Sequence, residues 1–313
     1  MAIIIICRGL VPERYDRALR ALAPERDIRL WPEHGAKTDA HYALAWNPPA
    51  GELAEYENLR VIFSAGAGVE HLLGDPTLPD LPIVRLVDDN LTMRMGEYVV
   101  LHVLLHHRRM LEYQEQQRAS TWRLLDQPAA EEIRVGILGL GELGADSARK
   151  LSQLGFQVAG WSRSKKRIAG VESFAGEAVL DAFLARTDIL VALLPLTPAT
   201  TGVLNGALLA KLARDGALPG PVLINAGRGG LQVEADILSA LDDGTLWAAS
   251  LDVFENEPLP EASPLWAHPR VVITPHNASI SEGPAVAAYM LEQIAAFEAG
   301  NPLSNLVDPK RGY

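Results

Sequence analysis

Three polar residues of this chain, Arg228, Glu257 and His276, each stand just beyond a short apolar run that reads as a β-strand. An arginine can grip a carboxylate through paired hydrogen bonds, a histidine can pass a proton near neutral pH, and a glutamate can orient and charge that histidine. Upstream of all three lies a glycine-rich turn, Gly139-Leu-Gly141-Glu-Leu-Gly144, of the kind on which a dinucleotide pyrophosphate rests. Together these residues predict redox exchange with a small 2-oxo or 2-hydroxy acid.

The elements that must position them are short and β-rich. Residues 3–7, 28–31, 42–46, 61–63 and 83–87 form a first series of apolar runs separated by helical or loop stretches. Residues 133–138, 157–161, 189–194, 222–225, 248–253 and 271–274 form a second. Such spacing predicts parallel βα units, and six runs fit the two mononucleotide-binding halves of a doubly wound sheet. Residues 91–118, free of glycine and proline apart from Gly96, predict one long helix, and residues 285–297 predict a last helix that packs back on the first domain. The expected fold is α/β with two doubly wound parallel-sheet domains and the chemistry in the cleft between them. A flavodoxin-like substrate domain takes residues 1–98 plus 285–313, and a Rossmann-type cofactor domain takes residues 99–284.

Bulk properties narrow the function classes. A chain of 313 residues exceeds what one compact core usually holds. Its net charge of -11 argues against a nucleic-acid or anionic-membrane surface, although it leaves room for one local basic pocket. Cys7 is the only cysteine, which removes a disulfide framework and a cysteine-based zinc site, and no metal is expected. It closes the run of Ile3 to Ile6 and reads as strand packing rather than as a nucleophile. The start shows neither a basic n-region nor a cleavage-site pattern, and no apolar run approaches the ~18 to 20 residues of a membrane span. A cytoplasmic enzyme is the simplest reading.

The context of the glycine turn strengthens it, because a strand runs straight into it and a helical stretch follows. Gly139 permits the tight turn, Gly141 lets backbone approach the pyrophosphate, and Gly144 lets helix pack on strand. The next strand ends near Trp161, where a domain preferring NAD would place an acid for the ribose hydroxyls. Here the chain reads Trp161-Ser162-Arg163-Ser164-Lys165-Lys166-Arg167. Hydroxyls and cations suit a 2′-phosphate, so NADPH (NADP+) is the expected cofactor and NADH the lesser one. Arg163 and Ser162 are the leading contacts, while Lys166 or Arg167 adds a screened field. A solvated basic face is the bland alternative.

Arg228 lies on a glycine-flanked loop after residues 222–225, where active-site residues of open α/β sheets collect. Its alternative is a surface salt bridge. Asp252, Glu255 and Glu257 are competing acids on one segment, and spacing does not choose among them. His276 follows Pro275, which stops a strand and presents the imidazole at its end, whereas His102, His106 and His107 lie in a helical stretch and read as structural or solvated.

These motifs resemble the D-isomer-specific 2-hydroxyacid dehydrogenase family over essentially the whole chain. The likeness is carried by residues 135–144, Leu194-Pro195-Leu196-Thr197-Pro, Asn225-Ala226-Gly227-Arg228-Gly, Asp252-Val-Phe-Glu-Asn-Glu257-Pro and Thr274-Pro-His276. Within the family the chain looks most like the glyoxylate/hydroxypyruvate reductase A group, through Trp46-Asn-Pro-Pro, Ser64-Ala65-Gly66-Ala67-Gly68-Val69-Glu70, Trp161-Ser-Arg-Ser164, Val171-Glu-Ser-Phe-Ala-Gly and Arg311-Gly-Tyr313. The resemblance implies that Arg228, Glu257 and His276 are the catalytic arginine, acid and histidine. It implies cofactor contacts from Gly139 to Gly144, including Glu142 and Leu143, from Trp161, Ser162, Arg163, Ser164 and Lys166, and from Leu194, Pro195, Leu196 and Thr201. Further cofactor contacts are implied for Ala226, Gly227, Arg228, Asp252 and His276. Backbone amides of Ala65, Gly66, Ala67, Gly68 and Val69 would bind the substrate carboxylate with Arg228 and His276, and Trp46 would shape the pocket. Homodimers through the cofactor domains, and reduction of glyoxylate and hydroxypyruvate with NADPH preferred, are implied as well. The pair Gly283-Pro284 departs from the pattern at the start of the last helix. The rival readings are a dinucleotide-dependent regulatory binding protein of the same fold and a hydrolase that retains NAD.

Overall fold

The computed structural model describes residues 1–312, which divide into two compact units, residues 1–91 with 280–312, and residues 92–279, so that Tyr313 of the Arg311-Gly-Tyr313 ending lies outside the described residues. Each is described by itself.

The first unit is built on strands β1 (Ala2–Cys7), β2 (Ile28–Leu30), β3 (Ala40–Trp46), β4 (Val61–Ser64) and β5 (Ile83–Val84). All pair in parallel in the order β2-β1-β3-β4-β5. Every residue of β1 is buried, as expected of a strand covered on both faces, which is why its sequence is a continuous apolar run. The helix Gly283–Glu298 lies in this unit and packs Val286, Ala287, Met290 and Ile294 against Ile3, Ile5, Tyr15 and Leu19. Gly283 has a packing reason: a Cβ there would lie 2.6 Å from the Arg14 carbonyl oxygen of the neighbouring helix Pro12–Leu22. Pro284 sits in the first turn, where the missing N–H costs no intrahelical bond.

The second unit carries β6 (Arg134–Leu138), β7 (Gln157–Ser162), β8 (Val171–Ala175), β9 (Ile189–Ala192), β10 (Val222–Asn225), β11 (Ala248–Leu251) and β12 (Val271–Ile273). The order is β12-β11-β10-β9-β6-β7-β8, all parallel. Strand order reverses between β6 and β9, the switch point at which open α/β sheets bind ligands. Successive residues alternate between two cores: Leu190, Leu223 and Ala249 face one, and Ile189, Val191, Val222 and Ile224 face the other. Seven strands stand where six are expected. The extra one, β8, is a half-exposed edge strand of sequence Val-Glu-Ser-Phe-Ala that lacks an apolar run.

The single helix expected over residues 91–118 is two, Asp89–His107 and Met110–Arg118, broken at Arg109 with φ 57°. The first buries Val99, His102, Val103, His106 and His107, whereas the second buries no residue, so the chain turns where its buried face ends. Among the described residues no helix is long and apolar enough to cross a membrane.

Candidate active site

Three adjacent strands of the second sheet, β10, β11 and β12, deliver the arginine, the acid and the histidine from their carboxyl ends. Asn225, the last residue of β10, is fully buried and shapes the loop after it. Its Oδ1 accepts from the Gly227 N–H at 3.1 Å, and its Nδ2 donates to the Arg228 carbonyl at 3.1 Å. Gly229 must be glycine, because a Cβ would strike the Phe254 carbonyl of the neighbouring loop. The Arg228 guanidinium donates to the Gly227 carbonyl at 2.7 Å.

The three acids after β11 have different partners. Glu255 accepts from the Glu234 N–H while Glu234 accepts from the Glu255 N–H, both at 2.7 Å, which ties it to the helix Glu234–Asp242. Asp252 is 1% exposed and turns both oxygens to the histidine loop. It accepts from the Thr274 hydroxyl at 2.6 Å, the Asn277 N–H at 2.9 Å and the Ala278 N–H at 3.0 Å. The Thr274 proton being committed there, its oxygen accepts from the Tyr98 hydroxyl at 2.9 Å. Held this way, His276 takes φ 50°, and its own N–H donates to the Asp252 carbonyl at 2.7 Å.

Glu257 alone of the three meets the imidazole. Its Oε2 lies 2.7 Å from His276 Nδ1, and its Oε1 accepts from the Phe254 N–H at 3.0 Å. Burial raises the Glu257 carboxyl, but the bonds from His276 and Phe254 and the charges of His276 and Arg228 outweigh it and hold the group below the ordinary carboxylate range. An ionised carboxylate on Nδ1 leaves Nε2 as the nitrogen for proton transfer.

The glycine turn fits a dinucleotide. Gly139 has φ 105° and would place a Cβ 2.7 Å from the Leu193 carbonyl oxygen, and a Cβ on Gly144 would strike the Gly139 carbonyl. Gly141, by contrast, faces open space. It is the N-cap of the helix Glu142–Gln153 and supplies no side-chain cap, so the first-turn amides point at a place an anion can occupy. Leu194 and Leu196 run beside the arginine loop: a Cβ on Gly227 would lie 3.1 Å from the Leu194 carbonyl oxygen, and one on Gly230 would lie 3.0 Å from the Leu196 side chain. The Thr201 hydroxyl donates to the Thr197 carbonyl at 2.9 Å in the turn that follows.

Beyond β7 no acid replaces the basic run. Trp161 Nε1 donates to the Gly176 carbonyl at 2.8 Å, and the Ser162 hydroxyl donates to the Ser164 carbonyl at 2.7 Å. Arg163, Ser164, Lys165, Lys166 and Arg167 are exposed. The Lys166 N–H donates to Ser173 Oγ at 3.0 Å, so the overlooked strand β8 anchors the basic turn.

In the first unit, Trp46 ends β3 and packs at a tilt of 46° against His71 with ring centroids 4.3 Å apart. Its ring lies over Gly66, where a Cβ would be 2.5 Å from Trp46 Cζ3. The loop of residues 65–69 divides its amides. Ala65 donates to the Ala45 carbonyl at 3.1 Å and Gly66 to Ser64 Oγ at 3.3 Å, whereas those of Ala67, Gly68 and Val69 meet no protein acceptor among the described residues.

Residues 100–278 match the family model described as D-isomer specific 2-hydroxyacid dehydrogenase, NAD binding domain. The chain belongs to that family. It is 44% identical over 307 residues to a glyoxylate/hydroxypyruvate reductase A from Serratia proteamaculans, covering 96% of both chains. Among solved structures it is similar to an NADPH-dependent glyoxylate/hydroxypyruvate reductase from Sinorhizobium meliloti in complex with NADP and sulfate, with TM-score 0.96, 48% identity and full coverage of both chains. A probable 2-hydroxyacid dehydrogenase from Rhizobium etli, in complex with NADP, HEPES and L(+)-tartaric acid, matches with TM-score 0.94 and 48% identity over 100% of this chain and 99% of that one. As a member of this family, the chain presents its histidine–glutamate couple and arginine on loops that the sheet edge and Asp252 hold in place.

Proposed function

We propose that this 2-hydroxyacid dehydrogenase is an NADPH-preferring reductase of small 2-oxo acids such as glyoxylate and hydroxypyruvate. The carrying observation is the Glu257–His276 couple, with Arg228 close enough to act on the same carboxylate, on the sheet whose switch point bears the dinucleotide turn. When bound, the cofactor supplies a hydride to the carbonyl carbon. Arg228 holds the substrate carboxylate and draws charge toward the 2-oxo oxygen. His276 donates the proton that this oxygen requires, from Nε2, and Glu257 stabilises the ring through Nδ1. Oxidation of the 2-hydroxy acid is the same path in reverse.

For the cofactor, the amides from Gly139 to Gly144 are assigned to the pyrophosphate, and Trp161, Ser162, Arg163, Ser164 and Lys166 to the adenosine 2′-phosphate. Leu194, Pro195, Leu196, Thr201, Ala226, Gly227 and Asp252 frame the remainder. From the first unit, the amides of residues 67–69 are assigned to the substrate carboxylate and Trp46 to its size limit. The NADP-bound relatives and the absence of an acid after β7 support the phosphate reading.

The enzyme is proposed to work in the cytoplasm as a homodimer. The extended segment of residues 119–129 is fixed by bonds from the Arg123 N–H to Gln116 Oε1 and from Gln127 Nε2 to the His107 carbonyl, yet Trp122 is 102% and Leu124 90% exposed. Covering them against a second copy removes that apolar surface from water. Sedimentation of the wild type against Trp122→Ser tests the dimer.

A panel of glyoxylate, hydroxypyruvate, pyruvate and bulkier aryl 2-oxo acids, followed by NADPH absorbance with NADH in parallel, tests the activity. Turnover of the two smallest acids with NADPH preferred is expected. NADPH binding without turnover of any 2-oxo acid would favour the regulatory rival.

A further inference from the structure

Gln232 lies just past the arginine loop, is 2% exposed, and directs its amide hydrogen bonds to Asn225, Val253 and Glu234 rather than to any of the three catalytic side chains. Its amide is nevertheless the only hydrogen-bonded side-chain link, among the described residues, between the Asn225 side chain and the peptide group of residues 253–254. Oε1 accepts from Asn225 Nδ2 at 2.8 Å, and Nε2 donates to the Val253 carbonyl at 2.9 Å. The orientation of both amides is forced. Asn225 Oδ1 must accept from the Gly227 N–H and its Nδ2 must donate to the Arg228 carbonyl, so the atom of Gln232 facing Nδ2 is the oxygen. That leaves the nitrogen to donate, and it does so to the Val253 carbonyl and, at 3.5 Å, to Glu234 Oε1.

The Val253 C=O and the Phe254 N–H belong to one planar peptide unit. Gln232 holds its oxygen, and Glu257 Oε1 takes its hydrogen at 3.0 Å. The path therefore runs from the Arg228 carbonyl through Asn225 and Gln232 to that peptide, then to Glu257 and His276 Nδ1. Each group between the two ends of this path is fixed by a second bond. A peptide gripped at its carbonyl cannot rotate its N–H away from the carboxylate, and the two bonds polarise each other.

We infer that Gln232 is a positioning residue which braces the loop carrying Arg228 against the loop carrying Glu257, and so sets the orientation of the Glu257–His276 couple. This rests on the reading of those three residues as the catalytic set. A filler of the same volume would pack equally well in this pocket but could not orient the peptide.

Two variants of the full chain separate the ideas, each measured for kcat, KM, NADPH dissociation constant and the pH dependence of kcat. Gln232→Met keeps the length and loses both bonds. It is expected to lower kcat about tenfold or more while leaving the NADPH dissociation constant within about twofold, and to move the alkaline limb of the reduction profile to lower pH. Gln232→Glu is the conservative variant. When ionised it offers only acceptors to the Val253 carbonyl, and when protonated it donates as the amide does. Its kcat relative to wild type should recover as pH is lowered across a range in which its melting temperature and NADPH dissociation constant already match wild type. That separates the lost bond from the cost of a buried charge beside Glu234, and this arm stands even where Gln232→Met fails to fold. Wild-type kcat and pH profile in Gln232→Met, or a Gln232→Glu deficit that does not change with pH, would overturn the inference. His276→Ala is run alongside: its inactivity with normal Gln232 variants sinks only the bracing role, whereas its full activity sinks the catalytic assignment itself.

Discussion

His276 Nδ1 and Glu257 Oε2 stand 2.7 Å apart, on loops that leave neighbouring strands. The contact assigns roles to both nitrogens of the ring, with one held by a carboxylate and the other left for the substrate. Because the Glu257 carboxyl is held below the ordinary carboxylate range, the couple stays intact as pH falls toward that range. Glu257→Gln should therefore lower kcat for reduction by roughly 10- to 100-fold, with NADPH affinity kept. Steady-state kinetics at several pH values check this, and an unchanged kcat would remove Glu257 from the mechanism.

Asp252 supports the histidine from beneath. Replacing it with asparagine puts an amide nitrogen where two N–H groups and a hydroxyl now donate, leaving at least one buried donor unpaired. A loss of about 1–3 kcal/mol in unfolding free energy is expected, together with a fall in kcat. Denaturant titration beside kinetics checks both, and an unaffected Asp252→Asn would mean that the loop is held by other bonds.

The glycine turn yields a contrast between neighbours. Gly141 has φ -75° and open space where a Cβ would go, so Gly141→Ala should leave the melting temperature unchanged while weakening NADPH binding. In Gly144→Ala the new methyl strikes the Gly139 carbonyl, so stability falls as well. Calorimetric binding and thermal melts of the two variants check the pair.

Cofactor choice is proposed to lie in the exposed run after Trp161. Arg163→Glu should raise the NADPH dissociation constant about tenfold or more and leave NADH within about threefold. An equal loss for both cofactors would argue against a phosphate contact.

Two buried histidines predict acid sensitivity. Burial lowers His102 from 6.5 to about 4, and burial followed by the neighbouring His102 lowers His106 to about 3. Below pH 6.5 the unfolded chain takes up protons that the folded one refuses, so this stability is complete above pH 6.5 and drains away as pH falls toward 4. Each group contributes about 1–2 kcal/mol of that loss by pH 5. Melts at pH 8 and pH 5 should diverge in the wild type and converge in part in His102→Leu.

Much of this was legible in the sequence because parallel strands are buried on both faces and write themselves as apolar runs, as in β1 and β10. The ends were less so. Residues 193–194 and 252–253 continue apolar or strand-like patterns, yet the chain leaves the sheet at Ala192 and Leu251 to build the ligand-side loops. Strand β8 was hidden by its polar residues, and the helix break at Arg109 carries no glycine or proline to mark it. Spacing could not choose among Asp252, Glu255 and Glu257, because the choice is made by which acid the histidine loop comes to rest against. Gln232 left no trace at all, since its role exists only through contacts with residues 225 and 253.

The central claim is that His276 Nε2 supplies the proton for reduction of a 2-oxo acid. The direct measurement is turnover of glyoxylate and hydroxypyruvate by His276→Ala, with NADPH binding measured on the same preparation. A fall in kcat of roughly 10²- to 10⁴-fold with NADPH affinity nearly unchanged is predicted. Turnover close to that of the wild type would contradict it.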